Sequence, residues 1–409
     1  MKTDDHIKAP GGTEWRLQAV SLIDSVGSGL YLAGGILYFT KFAGLGTGQV
    51  GLGLSLAGLV GFLSLARVGW IADRVGPRRT LMIMNLTRAA GFCAYAFTDS
   101  LWEFVVISAL LAVGDQTCNP LYQAVVERVV GPGRRVRLMA KLRVMYNVGY
   151  TVGAGLATVA LAVGSREAFI AIFLGNALTF VLASLMLRGM DAADPAGAPG
   201  RLSGTRLASL RDLAYLRVAA LNGVVSLHMS VLFIATPLWA IEHTDAPRSV
   251  SGPLLIVNTV LVVLLQVRFT ADTESVEGGL RALRRAGAAL AASCGLYALA
   301  ALPGRAMAVV LLVGAVVLLT VGELFQAVGG WSLSYTLAPE DSRAEYLSTF
   351  SLGTSAQYMI GPAVVTVGVI GQGTVGWLAL GGLFALASVL LGPAVAAVPA
   401  RGHSQTTGT

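Results

Sequence analysis

Apolar runs of roughly 20 residues succeed one another along the whole chain, separated by short polar stretches in which arginine is the commonest charge. The first set lies near Trp15 to Phe39, Val50 to Ile71, Thr80 to Phe97, Leu101 to Val125, Leu142 to Val163 and Ala168 to Leu187. The second set lies near Leu213 to Ile241, Val250 to Val267, Ala286 to Leu302, Ala306 to Tyr335, Tyr346 to Ile370 and Val375 to Val398. Each run can cross a hydrocarbon layer of ~30 Å as a helix, which satisfies its own backbone polar groups. The pattern therefore predicts an all-α integral membrane protein of about twelve transmembrane helices.

Composition strengthens that reading. Of 409 residues 55% are hydrophobic and only 12% charged, with a mean hydropathy of +0.71, whereas soluble domains are about 25% charged. The net charge of +7 would suggest nucleic acid in a soluble protein. Here the arginines stand at the ends of apolar runs, where they anchor topology, and no nucleic-acid partner is expected. Cys93, Cys118 and Cys294 fall inside apolar runs without ligand spacing, so neither disulfides nor a metal nor any other cofactor is expected. Met1 to Glu14 is polar and lacks a cleavable signal, which leaves the first apolar run as the insertion signal. The excess of Arg over Lys, with abundant Ala, Gly and Val, suits a high-GC bacterial genome and hence the cytoplasmic (inner) membrane.

Alternate polar stretches differ sharply in charge. One set carries Lys2, Lys8 and Arg16, then Arg67 to Arg79, Arg128 to Arg143, Arg188 to Arg217, Arg268 to Arg285, and finally Arg343 and Arg401. The other set holds only Lys41, Arg166, Arg248 and Arg305. The asymmetry predicts both termini on the cytoplasmic side. Asp191 to Arg211, rich in Ala, Pro and Gly, reads as a flexible linker, and Leu207, Leu210 and Leu213 among Arg206, Arg211 and Arg217 as a short interfacial helix. The expected organisation is a bundle of six helices over residues 1–188, a cytoplasmic linker over 189–212, and a second six-helix bundle over 213–409 ending in a short cytoplasmic tail. The halves are duplicated in sequence: Val113-Gly114-Asp115 matches Val321-Gly322-Glu323, and Tyr150 with Gly153-Ala154 matches Tyr358 with Gly361-Pro362, at one offset. Val20-Ser21-Leu22 matches Val225-Ser226-Leu227 at nearly the same offset. Two pseudo-symmetric bundles with a site near the midplane follow.

Between the second and third runs stands Gly69-Trp70-Ile71-Ala72-Asp73-Arg74-Val75-Gly76-Pro77-Arg78-Arg79. Gly69 permits close helix contact, Asp73 can cap a helix end or pair with a cation, and Gly76 allows a sharp turn. The segment resembles the cytoplasmic loop signature of the major facilitator superfamily. That resemblance implies its fold of twelve helices and a gating role for Gly69, Asp73, Arg74, Gly76, Arg78 and Arg79, with Asp73 in a charge latch and Glu127 as a partner for one of the arginines. Pro77 stands where the family has its first basic residue, so Arg78 and Arg79 must supply the charge. A solvated basic turn that serves only topology is the other reading. Gly149, Gly153 and Gly155 are similar to the glycine-rich fifth helix of family antiporters, and tight helix packing explains them equally well.

Ionisable groups at bilayer depth cost ~2.5–3.5 kcal/mol and need a reason. They are Asp24, Arg88, Asp115, His228 and Glu323. All but Arg88 lie on the first, fourth, seventh or tenth run, which line the cavity in the superfamily this chain resembles. Helical spacing groups Asp24 with Ser28 and Tyr31, Asp115 with Asn119 and Tyr122, Glu323 with Gln326, and His228 with Trp239; Tyr146, Tyr150 and Tyr358 add aromatic character. These define a candidate substrate cavity. Asp24 and Arg88 lie at comparable depth, either as a structural pair or as part of the coupling machinery. Asp115 and Glu323 have no basic residue within a turn of their own helices; burial disfavours their charged form, which makes them, with Asp24, the expected proton-coupling groups. His228 is either a modulator or a hydrogen-bonded packing residue.

No phosphate-binding loop, metalloprotease motif or nucleophile elbow occurs, and no enzymatic activity is expected. The expectation is a secondary active transporter working by alternating access as a monomer. Its partners would be protons, a small-molecule substrate and the lipid bilayer, and its energy source a proton gradient. Resemblance to drug:proton antiporters favours efflux of a lipophilic drug or natural product, as in multidrug resistance. Proton symport importing a small metabolite is the alternative, and a non-transporting membrane receptor the reading from another class.

Overall fold

A computed structural model describes residues 11–131, 133–190, 207–247, 250–270 and 273–399. Most of the expected linker, and both chain ends, lie outside these residues. The described chain is helical, with no strand. It divides into two compact units, Met1–Arg201 and Leu202–Thr409.

The first unit contains α1 (Gly11–Lys41), α2 (Thr47–Val75), α3 (Pro77–Tyr95), α4 (Leu101–Val130), α5 (Arg135–Val163) and α6 (Arg166–Arg188). Local chemistry sets the ends. Gly76, at φ +102°, closes α2 and opens α3 with Pro77 in its first turn. Ser100 caps α4 in a reciprocal box with Glu103. The last carbonyls of α6 are clasped by two arginines: Arg16 of α1 donates to Gly189, and Arg78 of α3 donates to Met190 and, at 3.3 Å, to Leu187. Cations there satisfy orphan carbonyls and oppose the negative end of the helix dipole.

The second unit contains α7 (Leu213–Glu242), α8 (Ser251–Leu265), α9 (Val276–Leu299), α10 (Arg305–Leu337), α11 (Arg343–Ala363) and α12 (Gly373–Ala396). α7 is interrupted after Val225 and contains a π turn at Val231–Ala235; a second π turn, Val364–Val369, follows α11. In α7 the wide turn is stabilised by Thr236, whose hydroxyl donates to Val231 O at 2.9 Å. The expected interfacial helix at Leu207 is instead a single 3₁₀ turn, Ala208–Arg211. It is docked on α11, since Ser209 N donates to Glu345 Oε1 at 2.9 Å and the Ser209 and Thr349 hydroxyls lie 2.8 Å apart. Buried Ser209 overrides the amphipathic leucine spacing.

Six stretches of the described chain are long and apolar enough to cross a membrane: Gln49–Val75, Leu101–Val130, Arg166–Arg188, Leu213–Glu242, Arg305–Leu337 and the composite Glu340–Ala396. The composite spans 57 residues, about twice the need of one crossing, and Gly373 at φ +61° turns the chain within it. Asp24, Arg88 and the arginine clusters lower the hydropathy of α1, α3, α5 and α9.

Every main helix pairing in the first unit recurs six helices later. α1 packs on α5 and α6, α2 on α4, and α3 on α4 and α6; α7 packs on α11 and α12, α8 on α10, and α9 on α10 and α12. The α1–α5 seam is glycine-lined. A Cβ on Gly153 would lie 2.0 Å from Val26 O, and one on Gly149 2.5 Å from Leu22 O. α7 and α11 repeat the device, with Gly353 at 2.0 Å from Ala219 O and Gly223 at 2.5 Å from Gly353 O. Small residues bring backbones into contact where lipid tails supply no hydrophobic drive.

Candidate functional site

In the first unit α1, α3 and α4 bring one cation to two carboxylates. Arg88 Nη1 donates to Asp24 Oδ1 at 3.0 Å, and Arg88 Nε lies 2.7 Å from Asp115 Oδ1. The second contact is out of line for a hydrogen bond, so charge attraction holds Asp115. Nη1 also lies 3.4 Å from Asn85 Oδ1 and 3.2 Å from Cys118 Sγ, and the guanidinium stands 3.8 Å from the centroid of Phe180 on α6. Arg88 fits because α4 offers Gly114, where a Cβ would come within 2.6 Å of Arg88 Cγ. The pair Asp24–Arg88 is buried, whereas the Asp115 side chain is 50% exposed.

Asp115 borders a cavity of about 180 Å³ within the unit, shared with Tyr31, Phe92, Tyr95, Ser108 and Gln116. Tyr31 stands edge-on to Phe92 at 4.9 Å and stacked with Tyr95 at 6.1 Å, and the Tyr95 hydroxyl meets Ser108 Oγ at 2.6 Å. Tyr122 is buried, and its hydroxyl and Asn85 Nδ2 have no hydrogen-bond partner among the described residues. Asn119 is exposed, and Ser28 bonds back to Asp24 O at 3.1 Å.

In the second unit Glu323 of α10 is buried and accepts from Asn258 Nδ2 of α8 at 2.8 Å; Asn258 also donates to Thr320 at 3.0 Å. Gln326 Nε2 donates to Asn222 Oδ1 and Ser226 Oγ of α7, both at 3.0 Å. Gln357 Nε2 donates to Ser230 Oγ at 2.6 Å, and Gly361 makes room for that serine. The duplicated carboxylates have therefore diverged. At Gly322, the counterpart of Gly114, the side chain 2.6 Å from the virtual Cβ is Leu290, where the first unit has Arg88.

Two expectations are corrected. Asp115 has a cation beside it after all, supplied across the α3–α4 contact and invisible to spacing along α4. Trp239 is not a cavity residue: it is 1% exposed, donates from Nε1 to Tyr297 O at 2.8 Å and packs edge-on to Trp377. The π turn at Val231–Ala235 lies between His228 and Trp239 and interrupts the regular spacing that would set them on one face. His228 is itself buried, with Nδ1 2.9 Å from Val225 O.

Other sites fall where local chemistry places them. Tyr146 and Tyr150 stack at 5.8 Å on α5, and Tyr358 is exposed on α11. In the loop motif Gly76 takes the positive φ, Arg74 stands 3.4 Å over the Trp70 ring, and Arg78 clasps α6. Asp73 is half-buried and Arg79 exposed. Glu127 takes both oxygens to Arg135 Nη1 at 2.9 Å, a partner that sequence reading did not assign. Of the α5 glycines, Gly155 faces open space and only Gly149 and Gly153 pack. Asn85, Gly114, Cys118, Phe180 and Asn258 were missed. The only signal among them was Gly114, inside the duplicated triplet.

The sequence profile of the Major Facilitator Superfamily matches residues 20–362. The chain belongs to the major facilitator superfamily. Its relatives within the superfamily include the uncharacterized MFS-type transporter YdeE of Escherichia coli (strain K12), 22% identical over 340 residues, which are 82% of this chain and 84% of that one. The multidrug resistance protein MdtH of Aeromonas hydrophila is 30% identical over 144 residues, 34% of this chain and 35% of MdtH. Solved structures share the fold. A bacterial homologue of the iron transporter ferroportin, outward-facing, has a TM-score of 0.67 at 16% identity over 94% of this chain and 98% of that one. The proton:xylose symporter XylE scores 0.69 at 15% identity over 95% and 96%. The protein is thus a multi-pass membrane transporter of this superfamily.

Proposed function

We propose that the protein is a proton-coupled exporter of lipophilic drugs or natural products, working by alternating access as a monomer in the inner membrane with both termini cytoplasmic. The observation that carries the coupling is one arginine serving two carboxylates. Arg88 can neutralise only one of Asp24 and Asp115. With both ionised the cluster keeps a surplus negative charge in a poorly hydrated place, and a proton or a cationic group of the substrate discharges it. Asp115, half exposed on an aromatic cavity, is the member that exchanges; buried Asp24 holds Arg88 in place. Partial likeness to MdtH supports the drug-exporting class. Glu323, which accepts from Asn258, is a second coupling group. Loss of gradient-driven export in Asp115→Asn, with substrate binding retained, is the expected outcome in proteoliposomes under an imposed pH gradient. Full coupling in that variant would remove the cluster from the mechanism.

A further inference from the structure

The second unit contains a basic cleft that the transport reading does not use. Arg281 and Arg285 lie one turn apart on α9, and Arg268 lies in the 3₁₀ turn after α8. All three are exposed, and with Phe269, Thr273 and Phe325 they line an open cleft of about 320 Å³. The rings of Phe269 and Phe325 stand 4.6 Å apart as one wall, and the Arg285 guanidinium lies 5.7 Å from the Phe325 centroid. Among the described residues no carboxylate lies within ion-pair distance of these arginines. Glu277, one turn before Arg281, makes no such pair either; Asp272 lies outside the described residues.

Arginines that serve only as topology signals need no common focus. Here three from two elements converge on one cleft, an arrangement whose mutual repulsion an anion would relieve. The guanidinium fork matches the oxygens of phosphate, in bidentate geometry that lysine lacks. The volume is at the lower end of the ~300–1,000 Å³ of small-molecule sites, enough for a phosphate with an attached glycerol. A phosphate alone would have no use for two phenylalanine rings. We propose that this cleft binds a phosphate-bearing anion, with the headgroup of an anionic phospholipid as the source that the aromatic wall favours.

Binding is read on the purified full chain in neutral detergent, independently of any transport activity. Probes are dioctanoyl phosphatidylglycerol, dioctanoyl phosphatidylcholine and inorganic phosphate, titrated against thermal stability. Phosphatidylglycerol should saturate the wild type and phosphatidylcholine should not. Each arginine near an anionic lipid contributes roughly fivefold in affinity, so Arg268→Gln should weaken the titration about fivefold and Arg281→Gln with Arg285→Gln roughly 25-fold. Exposed Arg137 of the first unit is the control, and Arg137→Gln should change nothing. Competition by inorganic phosphate would assign the site to free phosphate, and its failure to compete to the lipid headgroup. If the double variant is not monodisperse, Arg268→Gln alone decides. Wild-type affinity in the arginine variants, an equal loss in Arg137→Gln, or equal binding of phosphatidylcholine overturns the proposal.

Discussion

Replacing Arg88 by methionine tests whether the cluster is held by charge. Removing one partner of a buried ion pair costs ~3–5 kcal/mol, because the other charge stays buried and uncompensated. Asp24 and Arg88 qualify, with side-chain exposures of 9% and 5%. Asp115, at 50%, is partly screened and adds at most ~1 kcal/mol. At ~2–4 °C per kcal/mol for a unit of this size, Arg88→Met should lower the unfolding temperature in detergent by roughly 6–24 °C. The triple change Asp24→Asn, Arg88→Met, Asp115→Asn removes all three charges together. It should regain most of the loss, since Leu290 already fills the equivalent space against Gly322. Transport should stay lost in both variants, which separates stability from coupling. If Arg88→Met unfolds at the wild-type temperature, or if the triple variant still couples export to a pH gradient, the reasoning fails.

Gly153→Ala should destabilise the first unit by about 1–3 kcal/mol, because its Cβ meets a backbone oxygen that cannot turn aside; Gly155→Ala, facing open space, should leave thermal unfolding unchanged. Glu323→Gln should retain the fold, since its amide oxygen can still accept from Asn258, but should abolish accumulation against a gradient in proteoliposomes. Wild-type uptake or export kinetics there would leave coupling to the first unit alone.

The helices were legible because a bilayer admits few alternatives: a run of apolar residues between arginines has one economical structure. Boundaries were less so where a helix continues into polar sequence. α9 starts at Val276, well before the apolar run at Ala286, because Ser275 caps it through Gly278 N. Asp24, Arg88 and Asp115 were found as expensive residues, yet the contact of Asp115 with Arg88 was not, since periodicity reports neighbours on one helix and this contact joins two. Trp239 shows the converse failure. Its spacing from His228 assumes unbroken α geometry, and a π turn adds a residue without altering the sequence pattern.

The clasp of α6 by Arg16 and Arg78 also joins segments made far apart in the order of synthesis. The two guanidiniums belong to the first and third helices to be synthesised, while the carbonyls they hold at Leu187, Gly189 and Met190 stand at the end of the sixth. Until the ribosome has delivered that final turn, both arginines wait at their helix ends without these acceptors. The contact that ties the beginning of the unit to its end therefore requires a completed sixth helix.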